Sequence, residues 1–140
     1  MRIVIAVDGS PAANKASRHA ARLVAALEQP AMVVLLTVAS PLPRSVAVAL
    51  GAELRAKYYA DDARAALRTP RATLRRLGIG HEEKTMVGDP ASSIAAFCAR
   101  EKADLLVMGS HGRGAVKSLL LGSVALKVLA ATSTPAMIVR

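Results

Sequence analysis

The sequence is poor in cysteine and aromatic residues, and it contains no long hydrophobic run. Its single cysteine, Cys98, cannot form an internal disulfide, which excludes a disulfide-bonded scaffold. The uncharged stretch Gln29–Pro43 has 15 residues and three prolines, whereas a membrane span needs about 20 apolar residues. The apolar segment Met1–Val7 ends at Asp8 and is too short for a signal peptide. We therefore expect a cytoplasmic protein with no membrane association.

Acidic residues are also scarce, since 10 Asp and Glu stand against 19 Lys and Arg, and the formal charge is +9. This balance favours anionic partners, namely nucleotides, nucleic acids or a membrane surface, without choosing among them. The length of 140 residues predicts one domain, residues 1–140, with a core that needs no disulfide or structural metal.

Short apolar segments rich in β-branched residues alternate with longer helical stretches. Such segments predict strands that are buried on both faces of a parallel sheet. The predicted strands are Ile3–Val7, Met32–Val38, the weaker Lys84–Val87 with residues 81–83 before it, Asp104–Met108 and Ala136–Val139.

Four predicted helices lie between these strands. They run from about Ser10 to Glu28, Ser45 to Leu77, Asp89 to Lys102 and Gly122 to Ala131. The pairs Ser10-Pro11 and Asp89-Pro90 have the side-chain cap and the proline typical of a helix start. Pro70 is expected to kink or split the second helix, and Gly78 to cap its end.

The order β-α-β-α-β-α-β-α-β predicts parallel strands joined by right-handed crossovers, with helices on both faces of the sheet. This is a doubly wound, three-layer α/β sandwich. Ligands of such folds bind beyond the carboxyl ends of the strands, where the strand order reverses. The loops that follow Val7 and Met108 are therefore the predicted site.

The loop after the fourth strand has the ingredients of a phosphate site. Residues 109–114 read GSHGRG, and a predicted helix begins at Gly122-Ser123. Glycines allow backbone N–H groups to approach phosphate oxygens, and a helix N-terminus adds free donors and a positive dipole end. The hydroxyls of Ser110 and Ser123 and the charge of Arg113 or Lys117 could add to these groups.

Two common phosphate-loop patterns do not fit this loop. Gly109 and Gly114 have the outer spacing of a P-loop, but Ala115 stands where the lysine belongs. The dinucleotide pattern G-x-G-x-x-G is absent, and this loop follows the fourth strand rather than the first.

The spacing that does occur is G-x2-G-x9-G-[ST], formed by Gly109, Gly112 and Gly122-Ser123. It resembles the ATP-binding signature of the universal stress protein family. The resemblance covers the whole chain, including the segment Val7–Ser10, the helix start Gly88–Pro90 and the final strand after Pro135.

The resemblance implies a Rossmann-like fold of the adenine nucleotide alpha hydrolase type, with a five-stranded parallel sheet in the order 3-2-1-4-5. It implies ATP as the ligand, often with a divalent metal such as Mg²⁺ or Mn²⁺. It also implies a homodimer formed through the last strand, which here consists of Ala136, Met137, Ile138 and Val139. That strand would otherwise leave an apolar edge exposed.

The resemblance also implies a role for each residue of the site. Asp8 matches the acidic residue at the nucleoside end, Val38 the residue whose backbone reads adenine, and Gly109 a position near the ribose. The phosphates would lie against Gly112, Gly122 and Ser123, with Val124 beside them, and Met108 and Arg113 complete the set. Ala125 replaces a hydroxyl residue of some ATP-binding members, so we expect one phosphate donor fewer.

The function implied is that of a nucleotide-dependent regulatory or stress-response protein, with two alternatives. A slow ATPase or phosphotransferase would need carboxylates for a metal, and only Asp8 and Asp89 are placed to serve, so we expect little turnover. A nucleotide-free interaction module of the same fold is the other alternative. In that case the glycines and Asp8 would form only turns and helix caps.

The remaining polar residues support weaker predictions. His111 could contact a phosphate, His19 is expected on a solvated helix face, and Cys98 in the core. Four arginines recur at spacings of four, three and four on the second helix: Arg64, Arg68, Arg71 and Arg75. No aromatic residues or recognition motif accompany them, so we favour a solvated face over a nucleic-acid site.

Overall fold

A computed structural model describes residues 1–114 and 120–140 of the chain. Within these residues, strands and helices alternate as predicted. The strands are β1 (Arg2–Ala6), β2 (Met32–Ala39), β3 (His81–Val87), β4 (Leu105–Gly109) and β5 (Ala136–Val139). The helices are α1 (Pro11–Ala25), α2 (Arg44–Arg76), α3 (Pro90–Arg100) and α4 (Ser123–Ala131).

The strands form one parallel sheet in the order β3-β2-β1-β4-β5, which confirms the predicted fold. The central strand β1 pairs with β2 on one side and with β4 on the other; Val4 lies opposite Val34 and Leu106. The strand order therefore reverses between β1 and β4. Their carboxyl ends open into one crevice, where the predicted site should lie.

Residues of β1 alternate between two hydrophobic cores. Ile3 and Ile5 pack beneath α1 and α2, whereas Val4 and Ala6 pack beneath α3 and α4. Because both faces of the strand are covered, its sequence is a continuous apolar run rather than an alternating one. Burial of each of the large side chains contributes about 1.5–3 kcal/mol to stability.

The predicted helix starts are confirmed by side-chain caps. The Ser10 Oγ accepts a hydrogen bond from the Ala13 N–H at 3.2 Å, and the Asp89 Oδ2 accepts one from the Ser92 N–H at 2.9 Å. These bonds satisfy backbone donors that the first helical turn leaves free.

The sequence predicted that Pro70 kinks or splits α2, and the split is wrong. The helix continues through Pro70 and is interrupted at Gly51, whose φ of 74° and ψ of 174° are not helical. Pro70 is buried beside Leu67 and Leu74, and this packing offsets the hydrogen bond that proline cannot make. Gly78 follows the end of α2 with a φ of 68°, as expected for a helix cap.

The helices of the two described ranges do not combine the length and the hydropathy that crossing a bilayer requires.

Candidate functional site

A cavity of about 480 Å³ opens at the carboxyl ends of β1, β2 and β4. Its volume falls in the range of roughly 300–1,000 Å³ that is usual for small-molecule sites. All nine residues of the predicted site line it: Asp8, Val38, Met108, Gly109, Gly112, Arg113, Gly122, Ser123 and Val124. The structure therefore brings the whole set together, while the contact of each residue with a ligand stays a prediction.

The floor of the cavity is apolar. Side chains from the strand ends and from α3 form it, among them Leu36, Val38, Ile94 and Met108. An apolar floor with polar groups at one end can accept a flat hydrophobic ring beside a charged group.

Two lining residues come from α2, and sequence analysis missed both. Tyr58 and Asp62 lie on the same helix at a spacing of four residues and reach the cavity from the side of β2. No local motif marks them, because they are far along the chain from both loops of the predicted site. Their place could be found only from the packing of α2 over the sheet.

The N-terminus of α4 supplies free backbone donors to the cavity. Gly122 is the capping residue, and within the described residues its position provides no side-chain cap. The first helical hydrogen bond runs from the Leu126 N–H to the Gly122 carbonyl at 3.1 Å, so the N–H groups of residues 123–125 have no helical partner. Ser123 and Val124 line the cavity, and the positive end of the helix dipole points the same way.

Gly122 also holds α4 against the loop after β4. Its N–H donates to the Ser110 carbonyl at 2.7 Å. A β-carbon on Gly122 would stand 3.2 Å from that oxygen and 3.3 Å from the His111 Cα, so a side chain would require the two segments to shift slightly. Two residues named in the sequence analysis, Ala115 and Lys117, belong to 115–119 and lie outside the described residues.

Gly109 has a structural role that is independent of any ligand. A β-carbon there would lie 2.6 Å from the Ala12 carbonyl carbon and 2.7 Å from the Ala13 nitrogen. The end of β4 thus touches the backbone of α1. The next residue, Ser110, donates its N–H to the Val139 carbonyl of β5 at 2.8 Å, which fixes the start of the loop.

Asp8 connects the turn after β1 with the glycine loop. Its Oδ1 accepts a hydrogen bond from the Ser10 N–H at 2.9 Å, and its Oδ2 would stand 3.0 Å from a β-carbon on Gly112. Asp8 therefore stabilises the turn, as one of the alternatives from the sequence held. The same residue also lines the cavity.

Arg113 connects the glycine loop with α2 and with the turn after β1. Its Nη1 lies 2.7 Å from the Asp62 Oδ1, and its Nε donates to the Asp8 carbonyl. The hydrogen bond that Arg113 donates to Asp62 raises the pKa of Arg113 above its ordinary value. The guanidinium is therefore already paired with an acid, which sequence analysis did not foresee.

His111 lies at the cavity wall, where its Nδ1 is 2.9 Å from the Ser110 Oγ. The other predicted side-chain positions are confirmed: His19 is exposed and Cys98 is fully buried. Burial raises the pKa of the Cys98 thiol to about 11, as expected for an unreactive core cysteine.

Few carboxylates of the described residues are placed to bind a metal ion. Within residues 1–114 and 120–140, no three His, Cys, Asp or Glu side chains cluster as metal ligands. Asp8 and Asp62 line the cavity, whereas Asp89 caps α3 and lies outside the lining. Mg²⁺ is commonly held by one or two carboxylates together with substrate phosphates, so this set fits only an ion that binds with phosphate.

The four arginines predicted to share one face of α2 are not all exposed to solvent. Arg64, Arg68 and Arg75 are exposed, but Arg71 turns towards β3 and forms two hydrogen bonds with Glu83, at 2.6 and 2.8 Å. Arg64 pairs with Asp61 at 3.2 Å. These contacts agree with the solvated face that we favoured from sequence.

Comparison with known proteins assigns the chain to a family. A family model described as the universal stress protein family matches residues 1–140. The chain belongs to the universal stress protein family. Universal stress protein MJ0531 of Methanocaldococcus jannaschii is 29% identical to it over an alignment of 143 positions, which covers 99% of this chain and 81% of the relative.

Solved structures agree with this assignment. The protein MJ0577 superposes with a TM-score of 0.81 at 25% identity. The superposition covers 99% of this chain and 94% of the MJ0577 chain. A universal stress protein solved in complex with cAMP superposes with a TM-score of 0.73 at 27% identity, covering 100% and 97%. The universal stress protein fold predicted from the sequence is thereby confirmed.

Proposed function

We propose that this universal stress protein binds ATP in the cavity between β1 and β4 and acts as a nucleotide-dependent regulatory protein of the stress response. The observation that carries the proposal is the N-terminus of α4, which has no side-chain cap among the described residues and whose residues Ser123 and Val124 line a cavity with an apolar floor beside the glycine loop. The similar universal stress protein that was solved with cAMP supports an adenine nucleotide as the ligand class.

The proposed pose places the phosphates at the polar end of the cavity, against the N–H groups of Gly112, Ser123 and Val124. The adenine then lies on the apolar floor beside Val38, and the ribose lies between Asp8 and the Met108–Gly109 strand end. Arg113 supplies the positive side chain that the described lining offers to the phosphates. A divalent ion, Mg²⁺ or Mn²⁺, would bind together with the phosphates and with Asp8 as a protein ligand.

We further propose a cytoplasmic homodimer that is formed through β5. The hydrogen bonds to the carbonyls of Pro135 and Val139 come from β4, so the backbone groups of Ala136 and Ile138 point to the free edge of the sheet. The sequence of β5 is apolar, whereas the opposite edge strand, β3, carries the charged run His81–Lys84. Charges protect an edge from pairing, and their absence on β5 favours a second copy there.

The first test is to denature freshly purified protein and to identify the released small molecules by chromatography and mass spectrometry. About one adenine nucleotide per chain is the expected result. Calorimetric titration of nucleotide-free protein with ATP, with and without Mg²⁺, follows. No heat of binding at millimolar ATP under either condition would reject the proposal and would leave the nucleotide-free interaction module in its place.

A further inference from the structure

The Arg113–Asp62 ion pair joins two parts of the chain that are 51 positions apart at the wall of the cavity. The Arg113 side chain is about half exposed, at 51%, while that of Asp62 is more enclosed, at 20%. The Asp8 carbonyl accepts from the same guanidinium, so Arg113 is held from two sides. An acid thus restrains the arginine next to the glycine loop.

The charges around the cavity determine how this restraint affects a charged ligand. Within the described lining, the acidic side chains are Asp8 and Asp62, and Arg113 is the strongly basic one. While the pair is closed, Asp62 compensates the charge of Arg113, and Asp8 leaves a net negative charge. Each negative charge on a ligand is repelled by the Asp62 carboxylate and attracted by Arg113, and both effects grow with the number of phosphates.

We infer that Asp62 is a specificity-determining residue, which sets how strongly the cavity prefers adenine ligands with more phosphate charge. The inference rests on the proposed nucleotide binding and deepens it. Asp62 acts through Arg113: while it holds the guanidinium, a neutral nucleoside binds without a cost and a monophosphate with a small one. A triphosphate bears a larger cost, because it must draw Arg113 away from its acid partner. Asp62 is therefore a positioning residue that lowers the preference for ATP over AMP.

The test compares adenosine, AMP and ATP by calorimetric titration of the full chain. Asp62→Asn keeps the shape of the side chain and removes its charge. We expect the ratio of ATP to AMP affinity to rise about twofold to fivefold, the range that a partly exposed ion pair usually carries, while adenosine affinity stays unchanged. Asp62→Glu retains the charge and should restore the wild-type ratio.

Two controls separate the proposed role from less specific effects. Glu53→Gln removes an exposed carboxylate from the same helix, away from the cavity, and should leave the ratio unchanged. In an Arg113→Gln background, Asp62→Asn should have a clearly smaller effect than in the wild type, because the two residues act together. An equal effect in both backgrounds would mean that Asp62 acts only by its own field, which would overturn the inference.

The remaining outcomes are distinguishable. If the wild type binds none of the three ligands, the proposed function fails and this inference falls with it. If the wild type binds them but Asp62→Asn leaves the ratio of ATP to AMP unchanged, only this inference is overturned. Equal loss of adenosine and ATP affinity in Asp62→Asn would show a purely structural role and would overturn it as well.

Discussion

The backbone of Gly112 lies directly against the carboxylate of Asp8, so that a β-carbon at Gly112 would stand 3.0 Å from the Asp8 Oδ2. This contact joins the two loops of the switch point. Gly112→Ala should cost little stability, because the carboxylate is the far end of a flexible side chain and can shift. The methyl group and the displaced Asp8 would nevertheless occupy the polar end of the cavity. We expect ATP affinity to fall about tenfold, which corresponds to about 1.4 kcal/mol.

Calorimetric titration and thermal unfolding of the same variant check this expectation. Gly80→Ala is a matched control, since a β-carbon there meets no atom within 4 Å and the site lies away from the cavity. Wild-type affinity in Gly112→Ala would show that phosphate does not lie against this glycine.

Gly109 is expected to behave in the opposite way. Its β-carbon would clash with the backbone of Ala12 and Ala13, which cannot move without shifting α1. Gly109→Ala should therefore lower the free energy of unfolding by about 1–3 kcal/mol, as overpacking usually does. Urea unfolding measures the change, and Gly114→Ala in the same loop should be nearly neutral because its β-carbon meets no atom of the described residues within 4 Å. Equal stability of the two variants would contradict the close approach of β4 to α1.

Parallel topology explains why the sheet could be predicted from the sequence. A strand covered on both faces, such as β1 with Ile3, Val4 and Ile5, is a continuous apolar run that is easily recognised. Where strands and helices alternate, the preference for right-handed crossovers leaves few possible topologies. The site is then expected at the loops after β1 and β4, where the strand order reverses. The glycine spacing then led to the family resemblance, which implied nine of the residues that line the cavity.

Long-range side-chain contacts could not be predicted from the sequence. The pairing of Arg113 with Asp62 depends on how α2 crosses the sheet, and no local pattern encodes such a contact. The break in α2 was misplaced for a related reason. Proline has a strong local penalty, but the burial of Pro70 outweighs it, while the positive φ at Gly51 follows from the path of the chain. Tertiary packing decided both features.

Ser123 offers a direct test of the helix N-terminus. Proline is favoured at the first helical position, and the extended backbone of Gly122, with a ψ of 159°, suits a residue before proline. Ser123→Pro should therefore keep α4 intact while it removes one N–H and one hydroxyl from the cavity. We expect ATP affinity to fall about tenfold with little change in adenosine affinity, measured by titration.

The appropriate comparison for that variant is Ser123→Ala, which removes only the hydroxyl and should show a smaller loss. If Ser123→Pro binds ATP as well as Ser123→Ala does, the Ser123 N–H does not donate to a phosphate. A circular dichroism spectrum equal to that of the wild type would confirm that α4 still forms.

The Arg71–Glu83 pair between α2 and β3 predicts a pH dependence of stability. Two hydrogen bonds from Arg71 lower the pKa of Glu83 below its ordinary value of 4.5, and His81 faces the same carboxylate at 3.5 Å. Because the folded pKa is depressed, the pair stabilises the fold above pH 4.5 and loses this effect as the pH falls through the folded pKa. Glu83→Gln should cost at most about 1 kcal/mol at neutral pH, since the pair is partly exposed.

Urea unfolding at several pH values between about 7 and 2.5 measures the difference between Glu83→Gln and the wild type, which should shrink towards the acid end. Glu82→Gln is the control, because Glu82 has only a looser contact of 3.5 Å with Lys84. A constant difference over the whole range would show that the ionised form of Glu83 contributes nothing.

The free edge of β5 provides the test of the proposed dimer. Ala136 is the first residue of the strand, and its N–H points away from β4, so proline there removes no hydrogen bond found among the described residues. A second copy that paired with this edge would lose a donor and meet the proline ring. Ala136→Pro should therefore leave the thermal unfolding of the monomer almost unchanged and convert a dimer into a monomer in sedimentation experiments. The counterpart Met137→Pro removes an N–H directed at β4 and should destabilise the chain itself. If Ala136→Pro sediments as a dimer, the two copies do not pair through β5.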